Sequence, residues 1–287
     1  MPLPGRFLTG CWAEYQGGAA LIDCGEGMQV ALRKAGCKLS RLSAILFTHV
    51  HADHVAGLPG LLLSLGNTER KEPLPIYGPK GIGRVVKALT IISQEARFPL
   101  EVHEMEGGEN VLLGNGLEAV CLALKHRTPC LGYRLTLKRK GVFNPEKAKG
   151  LGVPLQMYRM LHGGSTVTLE DGRVIEPEMV LDGERDPISV CYMTDSLPLD
   201  EMPDFVRGAD LLICEGMYYD DEMRPSMQEK MHMLFSDAAA IARDGEVKRL
   251  WLTHFSPACT DPENGEAAAR AIFENAHVPC DGEWIAL

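Results

Sequence analysis

Short apolar or alternating runs recur along the chain at positions 19–23, 44–48, 74–77, 117–124, 132–137, 188–193, 211–214 and 250–253. Runs of this length, bounded by polar, Gly or Pro positions, predict strands. Helices are predicted between and after them at 26–35, 57–65, 81–94, 237–243 and 262–274. Ser236 stands where an N-cap would open the fourth helix, and Thr260 or Asp261 where one would open the last. Strand-then-helix order, with helices enough to cover both faces, predicts a layered α/β domain over the whole chain, 1–287. The pattern alone does not separate one doubly wound sheet from two sheets packed face to face.

One stretch breaks the alternation. From 138 to 186 a basic, proline-broken segment is followed by two β-prone runs separated by Asp171-Gly172, a strong hairpin signal. It predicts an arm-like insertion projecting from the core at about 138–186.

Composition places the chain among intracellular enzymes. At 287 residues and 45% apolar it can bury a large core, and no apolar run approaches the roughly 18 residues that span a bilayer. The opening Met1-Pro2-Leu3-Pro4-Gly5-Arg6 lacks the basic-then-apolar plan of a secretory signal. Nine cysteines without a C-x-x-C pair read as reduced, mostly buried thiols. The expected compartment is the cytoplasm, with no membrane partner. A net charge of −10 does not advertise nucleic-acid binding, but its distribution is uneven. Between Lys125 and Arg159 nine basic residues face one acid, so that segment carries +8 and the remainder −18. Phosphate contacts need a local basic surface rather than a basic protein, and a homodimer could set two such surfaces together. A solvated basic helix or hairpin is the plain alternative.

The sharpest chemistry lies in Thr48-His49-Val50-His51-Ala52-Asp53-His54, directly after the apolar run Ala44-Ile45-Leu46-Phe47. Four metal-capable side chains within six positions deliver imidazoles and carboxylate to one point at the rim of a sheet, a donor mix suited to zinc or a similar divalent ion. A single catalytic site must keep a position open for water, and four ligands crowd it. The cluster therefore reads as half of a two-metal site.

This His-x-His-x-Asp-His string resembles the signature of the metallo-β-lactamase superfamily. Such a site needs three further ligands at strand ends, and three fit: His126 after 117–124, Asp195 after 188–193, and His254 after 250–253. His103, His162 and His277 have no such placement and read as structural. Within the superfamily the local motifs look most like ribonuclease Z, the endonuclease that trims tRNA 3′ ends, over nearly the whole chain. Asp23-Cys24-Gly25-Glu26-Gly27-Met28-Gln29 resembles the family's glycine turn, with Met28 replacing threonine. His126-Arg127-Thr128-Pro129-Cys130-Leu131-Gly132-Tyr133-Arg134 resembles its third motif, with Cys130 replacing serine. The strand ending in Cys214-Glu215 is similar to its His-Glu-Ala-Thr element, with Cys214 replacing histidine. His232 stands at the spacing of its His-Ser-Thr motif, with Met233-Leu234 replacing Ser-Thr, and Leu252-Thr253-His254-Phe255-Ser256-Pro257 matches the final metal motif. Two departures bear on substrate handling. Family members usually have a glycine-containing strand before the turn that Pro4-Gly5-Arg6 resembles, and the Gly-Pro element of the family's RNA-grasping arm is not found near Val153-Pro154-Leu155-Gln156.

The resemblance implies a four-layer αββα sandwich and a phosphodiesterase with two zinc ions per chain, manganese or iron being the alternatives. His49, His51 and His126 are expected to hold one ion and Asp53, His54 and His254 the other, with Asp195 bridging. Asp53 is implied as the general base, with His232 as the proton donor to the leaving oxygen and Glu215 as its support. The expected substrate is a tRNA precursor, contacted by Arg6, Lys138, Arg139, Lys140, Lys147 and Lys149, and the expected assembly a homodimer. A small-molecule or cyclic-nucleotide phosphodiesterase with the same centre, and a catalytically weak RNA-binding homologue, are the alternative functions.

Overall fold

The computed structural model describes residues 3, 5–93, 98–139, 141–183 and 185–287. The chain divides into two compact units, Met1–Thr136 with Ser189–Leu287, and Leu137–Ile188. In the first unit β1 (Cys11–Tyr15) and β2 (Gly18–Ile22) pair antiparallel, and β2, β3 (Leu42–Leu46), β4 (Leu74–Pro79) and β5 (Leu100–Met105) follow in parallel, giving a sheet of order β1-β2-β3-β4-β5. Parallel neighbours need crossovers, which α1 (Met28–Lys34), α2 (Ala52–Val55), α3 (Leu58–Gly66) and α4 (Ile82–Leu89) provide. β6 (Asn110–Gly114) pairs antiparallel with β7 (Leu117–Leu124), and β8 (Cys130–Arg139) runs into the second unit.

That unit holds β9 (Val142–Phe143), α5 (Pro145–Gly150), α6 (Tyr158–His162), β10 (Val167–Thr168), β11 (Val174–Ile175) and β12 (Leu181–Asp182). β10 and β11 form the hairpin signalled by Asp171-Gly172, with Val167 opposite Ile175 and Gly172 at φ 85°. β12 pairs with β9. Ala148, Val153, Leu161, Val167, Leu169, Ile175 and Val180 form a buried apolar cluster, so the segment carries a small core of its own. Over Leu137–Ile188 eight Lys and Arg meet eight Asp and Glu, so the basic first half is balanced by an acidic second half.

The chain continues in β13 (Arg185–Met193), α7 (Met202–Val206), β14 (Leu211–Glu215), α8 (Arg224–Lys230), α9 (Phe235–Asp244), β15 (Leu250–Thr253), α10 (Glu266–Ile272) and β16 (Ala276–His277). The second sheet runs β16-β15-β14-β13-β8-β7-β6, parallel from β13 to β16.

Burial decides how the sheets face. Leu21 and Ile45 join Leu58, Leu61, Leu62 and Ile82 in a cluster under α3 and α4. Their strand neighbours Ala20, Ile22, Ala44 and Leu46 point the opposite way and are also buried. That inner face meets the second sheet, where Tyr133 Oη donates to the Phe47 carbonyl at 2.7 Å. Tyr15 Oη donates to the Leu113 carbonyl at 3.0 Å. The outer face of the second sheet, through Leu212, Cys214, Leu250 and Leu252, packs on Phe235, Ala238, Ala239 and Ala242 of α9. The result is a four-layer αββα sandwich. Among the described residues no helix is long and apolar enough to cross a membrane, and all nine cysteines are free thiols.

Several helix ends differ from expectation. α4 stops at Leu89 and tightens into a 3-10 turn, Thr90–Ile92, while Gln94 lies outside the described residues. The last predicted helix is a 3-10 turn, Pro262–Gly265, followed by α10, and Asp261 makes no side-chain cap bond to it. Ser236 does not cap α9. Leu234 holds the cap position, and its N–H donates to Asp237 Oδ2 at 3.0 Å. The carboxylate three residues into the helix satisfies a donor that the cap residue's apolar side chain cannot serve.

Candidate metal centre

Every candidate ligand sits where a strand or its following loop reaches one rim of the sandwich. His49 and His51 follow β3, Asp53 and His54 open α2, and His126 follows β7. Asp195 follows β13, Glu215 ends β14, and His254 follows β15. His232 lies just beyond α8. Asp195 and His254 take left-handed backbone, with φ 54° and 57°. Such non-glycine conformations cost on the order of 1–3 kcal/mol each and persist where surrounding contacts over-determine them.

The side chains converge in two groups. In one, His51 Nδ1 lies 2.9 Å from His49 Nε2 and 3.3 Å from His126 Nε2. Asp195 Oδ2 stands 3.6 Å from His49 Nε2 and 3.7 Å from His126 Nε2. In the other, His54 Nε2 and His254 Nε2 lie 3.3 Å apart, and each is 3.7 Å from Asp53 Oδ2. Asp195 Oδ1 completes it, at 3.3 Å from His54 Nε2 and 3.2 Å from His254 Nε2. A single carboxylate therefore turns one oxygen to each group. Ligands about 2.0–2.1 Å from a tetrahedral ion stand about 3.3 Å from one another, so a divalent ion fits among His49, His51, His126 and Asp195, and another among Asp53, His54 and His254 with Asp195 Oδ1 beside the two histidines.

In His49, His126 and His54 the opposite ring nitrogen is anchored, which fixes the orientation of the free one. Thr48 Oγ1 is 3.1 Å from His49 Nδ1. The Met231 carbonyl accepts from His126 Nδ1 at 3.1 Å. Asp23, fully buried at the end of β2, accepts from His54 Nδ1 at 2.8 Å, and from the Thr48 N–H and hydroxyl. Sequence reasoning gave Asp23 no role. The signal is its place after a strand, where it opens the glycine-turn motif; there Gly57 packs so tightly on Gly25 that any side chain at 57 would collide with the Gly25 carbonyl.

Residues 20–180 and 149–255 match the family model of the β-lactamase superfamily domain. The ribonuclease Z of Lachnospira eligens is 41% identical over 287 residues, covering 100% of this chain and 94% of that one. The ribonuclease Z of Lachnoclostridium phytofermentans is 42% identical over the same length, with coverages of 100% and 94%. The chain belongs to the ribonuclease Z family. The crystal structure of the short form of human tRNase Z shares the fold, with a TM-score of 0.70 at 23% identity over 99% of this chain and 94% of that one. Membership makes the protein a metal-dependent hydrolase of an endoribonuclease family.

Beside the two groups is the pair that ribonuclease Z resemblance singled out. Glu215 is fully buried, with Oε1 accepting from the Ser196 N–H at 2.8 Å and from the Met233 N–H at 3.3 Å. Its Oε2 lies 2.8 Å from His232 Nδ1 and 3.3 Å from His254 Nδ1. The same carboxylate thus lies beside His254 of one group and is bonded to the candidate acid.

Electrostatics differ between the groups. Burial and the neighbouring imidazoles push His49 down to about 2, and burial lowers His126 as well. Burial also opposes charge on His54 and His254, but Asp23 and Asp195 lift His54 to about 9, and Asp195, Asp53 and Glu215 lift His254 well above its ordinary value. Ligating imidazoles must be neutral. Near pH 7 an ion entering beside His49 and His126 meets neutral rings, whereas one entering beside His54 and His254 must displace protons. Lowering the pH from about 8 to 6 should therefore weaken the second site by roughly tenfold per unit per displaced proton and affect the first far less. Chelator competition across this range checks the order of release, and simultaneous loss of both ions would contradict it.

The other expected residues are more scattered. Arg6 donates to the Cys259 carbonyl at 3.1 Å and the Ser256 carbonyl at 3.4 Å, and lies over the Phe255 ring at 5.7 Å, so it braces the loop after His254. In the second unit Arg139 Nε donates to the Asp186 carbonyl at 2.7 Å, and Lys147 pairs with Asp182 at 2.6 Å. Lys149 is exposed, and Lys140 lies outside the described residues. His103 stacks on Tyr77, His162 meets the edge of Phe143, and His277 bonds to Glu266 and Glu283; none joins the metal groups.

Proposed function

We propose that the protein is a dinuclear zinc endoribonuclease that trims the 3′ ends of tRNA precursors. The observation that carries this reading is the shared carboxylate of Asp195, with one oxygen toward each histidine group, in a chain that matches ribonuclease Z relatives along its length. His49, His51 and His126 would hold one ion, Asp53, His54 and His254 the other, and Asp195 both. Zinc suits this donor set, and manganese or iron are the alternatives. Two bound ions would bring the pKa of a water toward neutrality and offset the charge of the phosphate.

The chain's own residues do the rest. Asp53 can accept a hydrogen bond from the attacking water and hold it in line with the bond to be broken. The departing ribose 3′ oxygen needs a proton, and His232 can give it. With Nδ1–H held by Glu215 at 2.8 Å, the ring keeps Nε2 for that oxygen. Burial works against charge on Glu215, but its contacts with His232 and His254 keep the carboxyl below the ordinary carboxylate range. The anionic form is therefore the one facing His232.

RNA contact is assigned to the basic half of the second unit, and a homodimer would bring two such segments to one substrate. Charge reversal at Lys138, Arg139 and Lys140 should raise KM for tRNA and flatten its salt dependence while hardly changing hydrolysis of a small phosphodiester. Equal losses on both substrates would make the segment structural instead.

The proposal as a whole is tested with a 3′-extended tRNA beside a chromogenic phosphodiester. The expected result is one endonucleolytic cut leaving a 3′-hydroxyl on the tRNA. Turnover of the chromogenic ester with the tRNA intact would point to a small-molecule phosphodiesterase. Binding of tRNA with neither substrate cleaved would mark a catalytically weak RNA-binding protein.

A further inference from the structure

A cavity of about 370 Å³ opens beside His232. Leu197 and Pro198, in the loop just after Asp195, line it together with Arg224, Met227 and Gln228 of α8, His232 and Asp237. The cavity is more apolar than polar, and its volume falls at the lower end of the range for small-ligand sites. Arg224 does not make it an anion site. Its guanidinium is spent on Asp237 Oδ1 at 2.7 Å, Asp221 Oδ1 at 3.1 Å and Ser236 Oγ at 3.0 Å, two carboxylates against one cation. A phosphate would find Arg224 already paired, while an apolar-faced group would find Leu197, Pro198 and Met227. Gln228 is exposed and offers an amide that both donates and accepts.

Position then identifies the occupant. His232 lines the cavity and is the donor to the leaving 3′ oxygen. That oxygen belongs to the nucleotide on the 5′ side of the broken bond, so this nucleotide is the one carried to the cavity mouth. We infer that the cavity beside His232 is a nucleobase subsite for the nucleotide whose 3′ oxygen departs, with the base against Leu197, Pro198 and Met227 and its edge read by Gln228. This rests on the endoribonuclease reading above. Apolar contact with the face of a base does not discriminate sequence, so these side chains supply binding to any base. A side-chain amide pairs best with adenine, donating to N7 and accepting from the N6 amino group. Gln228 therefore supplies a preference for adenine at that position.

The test uses the full-length metal-loaded protein and four 3′-extended tRNAs differing only in the nucleotide 5′ to the cleavage point. Wild type should cleave the adenine substrate with the highest kcat/KM. Gln228→Ala should bring the four values together, reducing the adenine preference by roughly tenfold, with metal content unchanged. Leu197→Ser should instead lower kcat/KM for all four by similar factors, chiefly through KM. The inference is overturned if the four-nucleotide profile is the same in wild type and Gln228→Ala, or if the variant changes the dependence on the nucleotide 3′ to the bond. Failure of wild type to cut any of the four would instead overturn the endoribonuclease reading itself, so the two failures are distinguishable.

Discussion

Replacing His232 with alanine should slow cleavage of a 3′-extended tRNA by roughly 10²–10⁴-fold, the usual size of a lost general acid. Hydrolysis of a nitrophenyl phosphodiester should fall far less. The difference follows from the leaving groups: a ribose 3′ oxygen departs poorly without a proton, whereas nitrophenolate needs none. His232 is partly exposed and bonded through Nδ1 to Glu215, an arrangement that keeps Nε2 for substrate. The same ring stands with Nδ1 4.0 Å from Asp195 Oδ2, in a second cluster with Glu215 and His254, and a ligand role is the competing reading. Metal content decides between the roles. An acid leaves it intact on mutation, while loss of an ion, or equal slowing of both substrates, would remove His232 from the role of acid.

Asp195→Ala should have the larger structural effect. Its two oxygens each stand 3.2–3.7 Å from imidazole nitrogens of a separate group. Burial penalises the ionised carboxyl, yet His254, His54 and His49 hold it far below its ordinary range, so the buried site is committed to a carboxylate. Removing it deletes a ligand from both groups and leaves clustered imidazoles without their shared counter-charge. Metal content should fall from two ions per chain to less than one, and hydrolysis of both substrate types to background. His126→Ala, which touches one group, should mainly weaken one ion. An Asp195→Ala protein that retains one tightly bound ion would show that the carboxylate serves a single group.

Much of this candidate centre is legible in the sequence because its clustered side chains sit where β3, β7, β13 and β15 end. A histidine or aspartate directly after a buried apolar run is placed by the strand itself, and His49, Asp195 and His254 are fixed that way. Asp23 obeys the same rule but reads as an ordinary turn residue, since nothing local reveals that His54 and Thr48 fold onto it. Arg6 is hidden in another way: its carbonyl partners lie about 250 positions away and leave no trace near it. The two-sheet architecture was equally hidden, because Ala20, Ile22, Ala44 and Leu46 are buried on the face opposite Leu21 and Ile45 and erase the period-2 signal. In the second unit, Val153, Leu161, Ile175 and Val180 are spread without a regular period, so the small core they make could not be read as one.

The central claim is that two ions share Asp195, and locating the metals tests it most directly. Elemental analysis of the purified protein, with anomalous scattering from its crystals, should find two ions per chain, one among His49, His51 and His126 and one among Asp53, His54 and His254, with Asp195 touching both. A single fully occupied ion, with Asp195 bound to nothing, would contradict it.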